Sequence, residues 1–206
     1  MKKFLTIPAT ALVAAIALAG CSASPNNSSG GSMPGMNHGS SGMSSGSAST
    51  VTGNHNAADT MFAQGMIPHH TQAVEMSDIM LKKQGIDPKV SALATKIKAE
   101  QGPEIDQLTT WLSDWKESSQ ISGSMSGGGM SGMMSGDDMA KLDAAQGTDA
   151  AKLFLSQMIT HHDGAVMMAQ TESTDGKSPD AVQLSKSIVT SQEAQLKEMK
   201  DLLAAL

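Results

Sequence analysis

The chain has 206 residues, with 14 basic side chains, all Lys, against 20 acidic ones and a net charge of −6. It carries 17 Met but only 3 Phe, 2 Trp, no Tyr and a single Cys. That length suits one domain or two small ones. The acidic balance speaks against a nucleic-acid binder, which needs a basic footprint, and one Cys excludes an internal disulfide or a Cys-based zinc site.

Lys2 and Lys3 open the chain, and an apolar stretch follows from Phe4 to Ala17. It is short and Ala-rich, as in a signal peptide rather than a membrane span. It ends in Leu18-Ala19-Gly20-Cys21, a run that resembles the bacterial lipobox. Residues 1–20 are therefore expected to be removed, leaving Cys21 as a lipidated N-terminus. A secretory signal with a coincidental Cys is the alternative. Two or three acyl chains hold a protein stably at a membrane where one does not. The mature chain keeps 12 Lys against its 20 acidic residues, so attraction to anionic lipid is not the anchor. This places the protein outside the cytoplasmic membrane, facing periplasm or cell exterior.

Residues 21–57 form a Gly/Ser/Met linker: positions 22–50 hold 11 Ser and 6 Gly. Such a stretch buries too little apolar surface to order itself. It carries Met33, Met36, His38 and Met43. A second segment, within the loop 119–137, contains only Ser, Gly and Met from Ser122 to Gly136, with Met125, Met130, Met133 and Met134. Flexibility does not require Met. Thioether sulfur is a soft donor suited to Cu(I), and His joins it well. These Met and His38 are auxiliary metal ligands on this reading; low-complexity drift is the alternative.

The rest, residues 58–206, is one unit written twice. A shift of 92 lays Met66-Ile67-Pro68-His69-His70 on Met158-Ile159-Thr160-His161-His162, and Ala73 and Met76 on Ala165 and Met168. A shift of 91 lays Leu93, Ile97, Gln101, Ile105, Leu108 and Leu112 on Leu184, Ile188, Gln192, Leu196, Met199 and Leu203. The spacing is helical. In repeat one (58–118) the first helix is capped by Asn56 or Asp59 and ends by Gly85. The second follows Asp87 with Pro88 in its first turn, and Gly102-Pro103 is expected to kink or divide it. In repeat two (138–206) a short helix over Asp138–Gln146 precedes a third main helix from Thr148 or Asp149. Gly176 closes that helix, and Ser178-Pro179 starts the last.

Two αα-hairpins bury their apolar faces against each other, so the fold class is all-α, a four-helix bundle. An up-down-up-down order makes the first and third main helices diagonal and parallel, with His69 and His161 facing at one height. Phe62, Met66, His69, Ala73, Met76 and Met80 lie within about 40° of one line on a helix turning ~100° per residue. The candidate ligands are Met66, His69, His70, Met76, Met158, His161, His162 and Met168. Ala73 and Ala165 leave space beside them. A Met stripe at this spacing also serves as plain core packing, and a lone buried His as a hydrogen-bonded core group. The duplicated Met-x-x-His-His favours a metal. A di-iron centre needs Glu-x-x-His; here Met stands three before each His, and Glu75 and Met167 fall at about 220°, away from the stripe. Thioethers with imidazole and no thiolate favour Cu(I), with Ag(I), or Cu(II) through His, as further ions.

These two Met-Ile-x-His-His-x-x-Ala-Val-x-Met segments, each followed by a Leu-x3-Ile-x3-Gln helix, resemble the bacterial ferritin-like family catalogued as domain of unknown function three-zero-five, which includes CopM-type copper-binding proteins. The resemblance covers about residues 56–205. It implies an exported or surface-tethered bundle and copper binding at Met66, His69, His70, Met158, His161 and His162. The family often has Glu where Met167 stands, which removes support for a role of Glu75. The functional expectation is a copper-binding lipoprotein that sequesters the ion or passes it to other copper-handling proteins, and no enzyme. A structural lipoprotein with core histidines and a metal-dependent oxidoreductase are the alternatives.

Overall fold

A computed structural model describes residues 53–120 and 131–206. The signal segment, Cys21, Met33, Met36, His38, Met43, Met125 and Met130 lie outside the described residues. The order of elements is α1 (Ala57–Leu81), α2 (Pro88–Trp115), α3 (Gly136–Ala144), α4 (Gly147–Asp175) and α5 (Pro179–Ala205). Among the described residues no helix is long and apolar enough to cross a membrane.

Local chemistry sets the ends. Both expected caps of α1 act together: the Asn56 side chain accepts from the Ala58 and Asp59 amides, and the Asp59 carboxylate accepts from the Asn56 amide at 2.6 Å. This is a reciprocal capping box. Asp87 accepts from the Lys89 amide and Pro88 occupies the first turn of α2. Lys116, at φ 59°, ends α2 in the left-handed region, with Glu117 N–H donating to the Leu112 carbonyl. Ser135 and Asp138 cap α3 reciprocally. Gln146 precedes α4 without a side-chain cap, and the helix begins at Gly147, one residue before Thr148 and two before Asp149. Ser178 caps α5.

Two expectations are corrected. Of the kink or division expected at Gly102-Pro103, the division does not occur: α2 runs on as one 28-residue helix with Pro103 inside it. The lost bond at Pro103 costs about 3 kcal/mol in an isolated helix, and packing along α1 on both sides of it offsets that. The second correction concerns topology. Asn56 and Asp59, at the start of α1, bond to Asp175, Lys177 and Ser178, at the end of α4. Lys83, past the end of α1, donates to the Asp143 and Ala145 carbonyls at the start of α4. Helices α1 and α4 are therefore neighbours and antiparallel, not diagonal and parallel. The physical reason is the connection between the repeats. Its described part runs alongside α1, with His69, Gln72 and Lys83 meeting Ser131, Met134 and Ala145 in constant register. The order is up-down-down-up, the single-crossover form of the ferritin-like bundle. Lys96–Glu198 and Glu100–Gln195 contacts join α2 to α5 and close the ring of helices.

The core is split in two. Met76, Met80, Leu93, Ile97, Phe154, Leu155 and Met158 belong to one apolar cluster. Phe62, Met66, Leu108, Leu112, Ala165 and Ala169 belong to the other. Between them lies a polar waist of four histidines.

Candidate metal centre

His69 stands twelve residues from either end of α1, and His161 fourteen from either end of α4. An antiparallel pair of helices brings midpoints together, so the two imidazoles still meet although the helices run oppositely. Their ring centroids are 3.7 Å apart, and both side chains are fully buried. His70 lies 6.5 Å from His69, and His162 6.4 Å from His161, both also buried.

Each outer hydrogen bond selects a ring nitrogen. The Ser131 carbonyl can only accept, so His69 Nε2–H donates to it at 3.2 Å. Gln195 Nε2–H donates to the Glu100 carboxylate, which turns its amide oxygen toward His162, and His162 Nε2–H donates to that oxygen at 2.6 Å. His70 Nε2 lies 2.8 Å from Glu104 Oε2, with the oxygen off the axis of the ring N–H. In His69 and His162 Nδ1 has no partner among the described residues, and in His70 and His161 neither nitrogen has a hydrogen-bond partner there. A buried imidazole with one nitrogen held by a carbonyl or amide and the other bare, as in His69 and His162, is the arrangement of a metal-ligating histidine.

The rings of His69, His161 and His162 are neutral. Burial, then the neighbouring His70, pushes His69 down to about 3. Burial and His69 push His161 down to about 2, and burial takes His162 to about 4 despite its bond to Gln195. Neutral imidazole is the ligating form. Among the described residues, no three His, Cys, Asp or Glu side chains are grouped tightly enough to hold an ion.

The thioethers flank the waist. Parallel helices would set Met66 beside Met158. The antiparallel arrangement puts Met66, with half-buried Met168, on one side and Met158, with Met76, on the other. Met66 and Met158 lie three residues, about 4.5 Å of helix, from their histidines, and Met76 and Met168 about 10.5 Å. Ala165 shares a cluster with Met66, and Ala73 with Met158, so each alanine makes room on the side of the opposite repeat's Met. Glu75 and Met167 are exposed, as their angle requires. Met133 and Met134 are partly buried, Met134 against the core cluster.

The crossover covers this waist. Gly132, at φ +85°, lies against α4: a Cβ there would come within 2.8 Å of the Thr160 carbonyl. A Cβ on Gly164 would strike the Ser131 carbonyl. On the α1 side, Gln72 clamps Met134 with two bonds, to its carbonyl at 2.9 Å and from its amide at 2.7 Å. Glu104, Gln195 and Glu100 were not singled out in the sequence. The 91-residue shift was the available signal, since it sets Glu104 on Gln195, but it does not say that either meets a histidine.

The matching family model, domain of unknown function DUF305, spans residues 59–203, and the chain belongs to that family. A DUF305 protein from Streptomyces coelicolor is 34% identical with a TM-score of 0.67, over 72% of this chain and 91% of that one. CopM in its Cu(I)-bound form is 32% identical with a TM-score of 0.59, over 71% of this chain and 96% of its own. CopM has also been solved with Cu(II), at a TM-score of 0.62 and the same identity and coverage. The uncharacterized protein L153 of Acanthamoeba polyphaga mimivirus is 33% identical over 63 residues, 31% of this chain and 41% of that protein.

Proposed function

We propose that this is an exported copper-binding protein, tethered to the membrane by lipid on Cys21, that holds Cu(I) at the histidine waist and sequesters or hands it on. The observation that carries the reading is the waist: buried imidazoles with bare nitrogens, flanked by Met66 and Met158, in a chain whose one Cys stands at position 21. Soft thioethers select Cu(I) over harder ions, and Ag(I) shares that preference. The binding of Cu(I), Cu(II) and silver by CopM, a relative about one-third identical, supports it. Holding an ion between buried helices suits a carrier that stores the ion or passes it on. The Met of the linker and the crossover would catch the ion before the waist holds it.

The test is a competition titration of Cu(I) against a coloured chelator. Wild-type protein is expected to take copper from the chelator, His69→Ala with His161→Ala to lose that ability at least tenfold, and His55→Ala to keep it. Equal competition by wild type and the double variant would end the reading.

A further inference from the structure

The two repeats hold their inner histidines differently. His70 of α1 meets Glu104 of α2, and His162 of α4 meets Gln195 of α5. Positions 104 and 195 are equivalent in the duplication, so the same place carries a carboxylate in one repeat and an amide in the other. The amide is backed in turn by Glu100, whose oxygen lies 2.5 Å from Gln195 Nε2. Glu100 thus reaches His162 only through a neutral group, while Glu104 touches His70 directly.

Resting on the copper reading above, we propose that Glu104 is a positioning residue that sets the preference of the waist between the two oxidation states of copper, acting through His70. Two physical effects act in one direction. A carboxylate behind an imidazole makes its other nitrogen a more basic, harder donor, and harder nitrogen suits Cu(II) where thioether suits Cu(I). The carboxylate charge also attracts a dication about twice as strongly as a monocation at the same distance. His70 Nδ1, buried and without a partner among the described residues, is the atom through which this acts. The first repeat is then the half that tolerates Cu(II). The second, whose His162 is backed by an amide, is the half that favours Cu(I).

The test compares full-length wild type with Glu104→Gln, which keeps the shape and removes the charge, and with Glu104→Asp, which keeps the charge. Affinities for Cu(I) and Cu(II) are measured separately, thermal unfolding checks the fold, and ¹⁵N spectra of the metal-free protein report the His70 tautomer. Glu104→Gln is expected to weaken Cu(II) by about tenfold or more and Cu(I) much less, and Glu104→Asp to restore part of the difference. In metal-free wild type His70 is expected to carry its proton on Nε2, with that resonance moving in Glu104→Gln. Equal loss for both ions, or loss for neither, overturns the proposal while leaving copper binding intact, as does a His70 protonated on Nδ1. A wild type that binds neither ion overturns the copper reading and this proposal with it.

Discussion

The two repeats share a skeleton and differ wherever something unpaired must pass. His69 and His161, Met66 and Met158, Ala73 and Ala165 occupy equivalent places and are all buried. Around the waist the repeats are therefore related by an approximate two-fold. A single crossover cannot obey a two-fold, because it lies over one face once. At equivalent positions the chain meets it with opposite devices: Gln72 grips it with two hydrogen bonds, and Gly164 yields so that backbone can touch backbone. The far ends differ too. Asp59 and Glu172 are a buried acid pair at one end, and the residues equivalent to them, Ala151 and Met80, share the apolar cluster at the other. Symmetry is kept in the facing His, Met and Ala of α1 and α4, and it is lost where the connections run and where the two repeats back His70 and His162 with different groups.

The largest expected effect tests the shared part. Met66→Ala and Met158→Ala each remove a fully buried side chain and should cost about 2–5 kcal/mol of stability. Equivalence predicts losses of similar size in denaturant unfolding; a difference beyond that range would break the two-fold.

The next tests the unshared part. Gly164→Ala forces the crossover off α4 and should cost about 1–3 kcal/mol through overpacking. Gln72→Ala removes both bonds to Met134 and should cost about 1–2 kcal/mol. Alanine at Gly102, where a Cβ meets nothing within 4 Å, should be neutral or stabilising. Thermal unfolding ranks the three, and a tolerated Gly164→Ala would contradict the packing of Ser131 on α4.

The last test is a pH dependence confined to one end. Burial, the bond to Asp59, and the charges of Asp59 and Asp175 push Glu172 up to about 8. Burial alone would raise Asp59, but bonds from Glu172, Ser178, Asn56 and Lys177 bring it below the ordinary carboxylate value. Folded Glu172 keeps a proton that the unfolded chain releases near 4.5. Stability from this group is fully present below pH 4.5 and declines as pH rises through about 8. Unfolding measured across that range should show the decline in wild type and a flatter curve for Glu172→Gln.

Much of this was legible in the chain. Helical spacing, Pro88, Pro179 and the repeated Met-x-x-His-His announced the helices and the waist. The relative direction of the hairpins was not legible, because a duplication states which residues are equivalent and not how the copies are turned. The histidine pairing survived that error for a physical reason: His69 and His161 sit at helix midpoints, which meet in either direction. Met66 and Met158 do not sit at midpoints, so the antiparallel arrangement places them on opposite sides of the waist. Glu104 reads in sequence as one more acid of a helix rich in charge, and Glu172 as a solvent-face residue near a helix end. Neither pattern nor spacing carries the burial that gives them their contacts.

The central claim is that copper sits between α1 and α4 on imidazole and thioether together. X-ray absorption at the copper edge of the Cu(I)-loaded protein tests it most directly. The account predicts mixed nitrogen and sulfur scattering in wild type, and loss of the nitrogen contribution in His69→Ala with His161→Ala. A wild-type spectrum of sulfur alone, or one unchanged by the double substitution, would contradict it.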